Sequence, residues 1–370
     1  STLSSSSAAS DVYKRQLNDA DAVTLLGIHH RIADLEKTVS LHGRSIGFHK
    51  AFYMSCRRCF EAVTGESRQV TEEEALLTIE EAMGSGINYL DTAPFYGYGL
   101  SEERIGRCLP KLSKRPLIST KVGRLLRPGV REGNELYGNK QPFYLANLDK
   151  RFIFDFSYDG VLRSHEESLQ RLGLDAVDIL HIHDADEHFT DAVQGDYRAL
   201  SRLREEDSIK AVSAGMNQWE MLADFLDHGR FDCFLLAGRY TLRDQSSLAE
   251  FLPKCLKHGT SIVIGGVYNS GILANPVRGT TYNYVEAPQG LIDRALAMEV
   301  ICQRYGVPLK AAALQFPLGH PAVATVLTGV RSREEWQENL RLFELEIPRD
   351  LWLELRDEGM IGPEVPLPGD

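Results

Sequence analysis

The sequence predicts an α/β protein, a closed parallel (β/α)8 TIM barrel, and three observations carry that expectation. From Thr71 onward, short apolar runs alternate with helix-length segments of 3.6-residue period. Eight strands can be counted, each followed by a helix, which is the recipe for closure. No G-x-G-x-x-G follows the first strand, so the competing open doubly wound sheet lacks its pyrophosphate cradle.

Lys37–Phe48 alternates about His42-Gly43 and reads as a hairpin whose second arm, Arg44–Phe48, supplies barrel strand one. Thr71–Glu74 forms a capping box, and Ala75, Ile79 and Ala82 share one helical face until Gly84 and Gly86. A strand is expected at Ile87–Thr92, a helix from Ser101 to about Pro110, a strand at Leu117–Val122 and a helix at Tyr158–Leu172 that Gly173 ends. Strands at 177–183, 210–214, 233–237, 261–265 and 323–328 then alternate with helices at 196–206, 218–228, 246–258, 290–305 and 332–343. A last helix covers 349–358. Three connections after strands are long: 123–157, 184–195 and 266–289. In a barrel all three open onto the rim that carries chemistry.

Composition narrows the function classes. With 43% hydrophobic and 25% charged residues, the 370-residue chain is ordinary soluble globular protein. Forty-one Lys plus Arg against fifty-two Asp plus Glu give a net charge of −11, which argues against nucleic acid and acidic membrane surfaces as partners. No apolar run approaches the ~18 residues of a membrane span. Six scattered cysteines make no disulfide framework, and a cytoplasmic location is expected. Cys56 and Cys59 have zinc-knuckle spacing, but no second Cys or His pair completes four ligands, so no metal site is expected. Ser1–Ser10 lacks the pattern of a secretory signal, and Asp11–Gln16 resembles a translated sequencing adapter. Residues 1–36 are therefore expected to be a non-native or disordered extension, and 37–370 a single barrel domain.

Polar residues stand where the strands end. Asp91 and Tyr96 follow strand two, Lys121 lies on strand three and His183 ends strand four. Each alone is ordinary: a strand-end Asp is usually a cap, a Tyr usually core, a Lys usually solvated, a His usually a satisfied polar group. On successive strands of one barrel they converge. A phenol with a pKa near ~10 is a poor proton shuttle at neutral pH, an adjacent ammonium favours the phenolate, and a carboxylate keeps the ammonium charged and aimed. Tyr96 is then the acid/base, Lys121 its tuner, Asp91 the partner of Lys121, and His183 the group that orients a hydroxyl or carbonyl oxygen. Proton transfer beside a carbon that exchanges hydride calls for a nicotinamide.

The segments NYLDTAPFYGYGLSE (88–102), STKV (119–122), DILHIH (178–183) and VLTGVRS (326–332) resemble the signatures of the aldo-keto reductase superfamily. FDFSYDG (154–160), GMNQW (215–219), LAGRYTL (236–242), NSGILA (269–274) and AALQFP (312–317) are similar to the branch that contains D-threo-aldose 1-dehydrogenase (L-fucose dehydrogenase) and pyridoxal 4-dehydrogenase. The resemblance implies the barrel of NADP-dependent oxidoreductases, with Asp91, Tyr96, Lys121 and His183 as the catalytic tetrad. It also implies that Asn217 holds the nicotinamide carboxamide, although Met216 and Ala237 replace the family's usual Ser and Gln. Val267, Tyr268, Ser270 and Gly271 fall in the loop that wraps the pyrophosphate, and Gly329, Arg331, Glu335, Glu338 and Asn339 fall where the adenosine half binds.

Two departures from the family pattern stand out. His49–Tyr53 occupies the place of a Gly-Thr or Gly-Ala turn, as a local frameshift across 49–59 would leave it. Glu335 replaces the Arg that pairs the 2′-phosphate in NADPH-preferring members, which implies NAD, with NADP as the alternative cofactor. The expected activity is oxidation of an aldose of the L-fucose, D-arabinose or L-galactose type at C1 to the lactone, by a monomer or weak homo-oligomer. Pyridoxal is the alternative substrate. A non-catalytic nucleotide-sensing subunit is the reading from another class, and the four filled tetrad positions favour the enzyme.

Overall fold

The computed structural model describes residues 70–369, except 137–141, 143, 145, 148 and 284, and three strands further upstream. The extension expected at 1–36, and residues 54–59 with their two cysteines, lie outside the described residues. Those upstream strands are Thr38–Leu41 (β1), Arg44–Gly47 (β2) and Ala51–Tyr53 (β3). The remaining strands are Tyr89–Asp91 (β4), Leu117–Val122 (β5), Arg124–Pro128 (β6), Lys150–Phe154 (β7), Ile179–His183 (β8), Ala211–Met216 (β9), Cys233–Ala237 (β10), Ser261–Gly265 (β11), Thr281–Tyr282 (β12), Val285–Glu286 (β13) and Val323–Gly329 (β14).

Eight of them close into a parallel barrel in the order β3-β4-β5-β8-β9-β10-β11-β14. The principal helices around it are Glu72–Gly84 (α1), Leu100–Cys108 (α2), Tyr158–Leu172 (α3), Arg198–Glu205 (α4), Trp219–His228 (α5), Phe251–His258 (α6), Gln289–Arg304 (α7), Leu309–Gln315 (α8), Arg333–Glu344 (α9) and Arg349–Asp357 (α10). None of the described helices is long and apolar enough to cross a membrane.

Local chemistry accounts for the helix ends. Thr71 Oγ1 accepts from the Glu74 N–H at 3.2 Å while Glu74 Oε2 accepts from the Thr71 N–H at 3.1 Å, so α1 starts with the expected capping box. Ser157 caps α3, and Gly173 ends it in the left-handed region at φ 64°. Strand alternation then sorts the side chains into two cores. Leu90, Ile118, Leu180, Val212 and Phe234 face outward and meet Ile79, Ile105, Val161, Leu200 and Phe225 of the helices. Tyr89, Ile179, Ala211, Cys233, Leu235, Val263, Ala324 and Leu327 fill the barrel interior.

Three features differ from the sequence expectation. The first barrel strand is Ala51–Tyr53, paired with Leu327–Gly329 and Tyr89–Asp91, and not Arg44–Phe48. β2 instead pairs with β1 as an antiparallel hairpin, in register Thr38↔Gly47. Alternation marks a strand with one wet face, whereas a barrel strand is flanked and covered, and three residues are too few to show a period. The 123–157 connection contains the hairpin β6–β7, in register Arg124↔Phe154. Helix α8 escapes periodicity because Leu309 and Ala311–Leu314 are buried almost all round.

The approach of α2 to α3 depends on Gly106, where an added Cβ would sit 2.6 Å from the Leu172 carbonyl oxygen. Gly106→Val should therefore destabilise the protein by about 1–3 kcal/mol, read as a lowered urea midpoint at unchanged slope.

Candidate active site

Inward-facing residues at the C-terminal ends of β4, β5 and β8 bring three members of the expected tetrad together, and the turn after β4 brings the fourth. Asp91 is completely buried and Lys121 is 1% exposed, with Nζ 2.5 Å from Asp91 Oδ2 and 2.9 Å from the Thr92 carbonyl oxygen. The same ammonium lies 5.0 Å from the centroid of the half-buried Tyr96 ring. His183, buried, meets that ring edge-on with centroids 5.7 Å apart. Burial would raise the Asp91 carboxyl, but Lys121 and His181 outweigh it and hold the carboxyl below its ordinary range. Burial draws the Lys121 ammonium downward against the pull of Asp91.

Several residues of the site escaped sequence reasoning. Ser119 donates to Asp91 Oδ1 at 2.5 Å, and His181 Nε2 lies 3.4 Å from the same oxygen. Arg124 donates to Asp184 Oδ2 at 3.0 Å, and that oxygen is 3.5 Å from His183 Nε2. The Arg124 guanidinium is packed over the rings of Phe95, Phe152 and Phe154 at 4.8, 5.0 and 5.5 Å. Phe154 and Phe156 in turn stand within 5.1 and 4.9 Å of the His188 ring. His181 and His183 share the inward face of β8 by a period of two, and that alternation was the available signal. Nothing local marks Arg124, because its surroundings come from three separate segments.

The expected cofactor residues lie at the ends of β9, β11 and β14. Asn217 directly follows β9 and is half-buried. After β11, Val267 is buried and Tyr268 donates through its hydroxyl to Asn339 Oδ1 at 3.1 Å. Asn269, Ser270 and Gly271 all have positive φ (46°, 61° and 117°), a concave backbone of the kind that receives phosphate oxygens. Gly329 ends β14, and Ser332 caps α9 by accepting from the Glu335 N–H at 3.3 Å. Glu335 does not stand as a lone carboxylate. It accepts from the Arg331 backbone N–H at 2.8 Å and from Arg331 Nε at 2.9 Å. Glu338 pairs with Lys310 of α8 at 2.9 Å, a residue the sequence did not point to. Among the described residues no group of three or more His, Cys, Asp or Glu is arranged to hold a metal ion.

The aldo/keto reductase family model matches residues 61–357. The chain belongs to the aldo/keto reductase family. It is similar to pyridoxal 4-dehydrogenase of Microbacterium luteolum, at 44% identity over 79% of this chain and 90% of that protein. It is similar to D-threo-aldose 1-dehydrogenase of a Pseudomonas species, at 38% identity over 80% of this chain and 90% of that protein. In fold it resembles a solved glycerol dehydrogenase of Gluconobacter oxydans, with a TM-score of 0.67 and 20% identity over 90% of this chain and 98% of the other. This aldo-keto reductase is thus an NAD(P)-dependent oxidoreductase.

Removing one partner of the buried pair leaves the other uncompensated. Asp91→Ala should destabilise the enzyme by about 3–5 kcal/mol in denaturant melts, and the double variant Asp91→Leu with Lys121→Met should regain most of that loss. Equal losses in the single and double variants would show that cavity formation, not charge, sets the cost.

Proposed function

We propose that the enzyme oxidises a cyclic hemiacetal at its anomeric carbon to the lactone, foremost an aldose of the L-fucose, D-arabinose or L-galactose type, with NAD as acceptor. One observation carries the reading: Tyr96 stands between the Lys121 ammonium, 5.0 Å from its ring centroid, and the edge of His183. The ammonium favours the phenolate, and Asp91, fixed on Lys121, keeps that ammonium in place. Tyr96 takes the proton of the anomeric hydroxyl, and His183 holds the same oxygen as it becomes the lactone carbonyl. Asn217, the Val267–Gly271 loop and the start of α9 are suited to hold the dinucleotide, which supplies the two-electron acceptor for the C1 hydrogen.

A second reading, pyridoxal, is favoured by the 44% identity to pyridoxal 4-dehydrogenase and by the ring wall of Phe95, Phe154, Phe156 and His188. Pyridoxal closes to a hemiacetal, so the local chemistry is the same. Initial rates with NAD on L-fucose, D-arabinose, L-galactose and pyridoxal, followed at the reduced-nicotinamide absorbance, separate the two. A sugar kcat/KM above that of pyridoxal is expected, and the reverse order would overturn the sugar reading. Tyr96→Phe should lower turnover by about 10²–10⁴-fold while NAD binding stays close to that of the parent enzyme. Retention of more than about a tenth of the activity would remove Tyr96 from the acid/base role.

Cofactor choice follows from the Arg331–Glu335 pair. With its guanidinium held by Glu335, Arg331 is withdrawn from service to a 2′-phosphate. Glu335→Ala should release it from that carboxylate and move the ratio of kcat/KM toward NADP by about tenfold. An unchanged ratio would mean that neither side chain reads the 2′ position.

A further inference from the structure

We propose that His181, the second imidazole of β8, is a positioning residue for Asp91, its Nε2–H bracing Oδ1 so that Oδ2 stays committed to Lys121. The inference rests on the reading of Tyr96 as the acid/base. His181 is completely buried, inward-facing, and in register between Lys121 on β5 and Ser213 on β9. Its Nε2 is 3.4 Å from Asp91 Oδ1. Gly215 of β9 packs beside it, where an added Cβ would meet His181 Cβ at 3.9 Å and Lys121 Cε at 3.8 Å, ordinary contact distances.

Proton bookkeeping fixes what reaches Oδ1. Ser119 Oγ is 2.5 Å from Oδ1, a carboxylate that can only accept, so the Ser119 hydroxyl proton points there. Tyr89 Oη, 2.8 Å from Ser119 Oγ, must then be the donor of that second bond. Oδ1 thus receives a two-hydroxyl chain from one side and has His181 Nε2 at 3.4 Å on another, while Oδ2 receives Lys121. The titratable groups facing this cluster are Asp91 and Tyr89 on β4, Tyr96 in the turn after it, Lys121 on β5 and Cys233 on β10, with Asp184 and Glu102 acting on Lys121 from further out. Asp91 and Lys121 neutralise each other, so a third charge in this dry layer would be uncompensated. Burial, with the neighbouring ammonium, draws the imidazole below its ordinary range against the pull of Asp91; on this reading its one proton sits on Nε2, toward Asp91.

Stability does not account for a histidine here. Neither ring nitrogen of His181 makes a hydrogen bond of good geometry among the described residues, and a buried polar atom left in that state costs about 1–3 kcal/mol. Ile179, on the same face, fills its place with carbon alone. A polar group kept at such a cost beside a catalytic carboxylate points to tuning. A donor at Oδ1 makes the carboxylate less basic, so the proton shared by Oδ2 and Nζ stays on Lys121. Tyr96 then feels the full ammonium charge.

The test is the pH dependence of kcat in His181→Leu and His181→Gln, the glutamine amide nitrogen reaching about as far as Nε2. Loss of the donor should move the limb that reports Tyr96 ionisation upward by about half a pH unit or more. At neutral pH, kcat of the leucine variant should fall by about tenfold with KM for NAD little changed, and the glutamine variant should restore the limb. A folded leucine variant with the parental limb, or a glutamine variant displaced as far as leucine, overturns the proposal. Should His181→Leu fail to fold, Ser119→Ala removes the other donor from the same oxygen: an upward limb supports the proposal and an unmoved one overturns it. Tyr96→Phe run alongside separates the two levels. If that variant stays active, the acid/base reading falls and the proposal with it. If it is inactive and the His181 limbs are parental, only the role of His181 falls.

Discussion

A carboxylate and an ammonium, each no more than 1% exposed and 2.5 Å apart, are the constraint around which the catalytic end of this barrel is built. Two ions taken out of water lose solvation that their attraction recovers only when every remaining lone pair and proton finds a partner. Strand pairing supplies that geometry. Register places Asp91 beside Ser119, and Lys121 beside His181, so four inward side chains from three strands meet without a loop having to order itself. The backbone carbonyl of Thr92 takes a further ammonium proton. The pair is held by a scaffold already stabilised by the two apolar cores, and its ammonium lies 5.0 Å from the centroid of the Tyr96 ring.

Around that fixed centre the rim is assembled from long connections. The β6–β7 hairpin lowers Phe152 and Phe154 beside Phe95, and the three rings enclose the Arg124 guanidinium that reaches Asp184 next to His183. Rings against a cation give a wall that is apolar in bulk and polar at its tip. On the opposite arc, Tyr268 to Asn339 and Arg331 to Glu335 tie the loop after β11 and the exit of β14 to helix α9. Lys310 to Glu338 adds α8 to the same cluster. The two arcs are therefore held by different strands and can vary independently, the usual economy of barrels.

Most of the architecture was legible in the chain. The capping box at Thr71, the Gly173 stop and strands 117–122, 233–237 and 261–265 follow from local chemistry or from apolar runs bounded by turn residues. The tetrad was legible because its members follow strand ends that a parallel barrel must bring to one rim. Less visible were the three-residue strand Ala51–Tyr53, too short for a period, and helix α8, buried too evenly to show one face.

The sequence by itself determined the fold class and most of the strand and helix order, since these depend on period, caps and residue type. Tertiary structure alone decided which oxygen of Asp91 each donor takes and that Arg124 sits among three rings. The physical reason is one of range. Periodicity and capping act within about four residues of the chain, whereas these contacts join side chains 28 to 30 residues apart in the Asp91 cluster, so only barrel closure sets their distances.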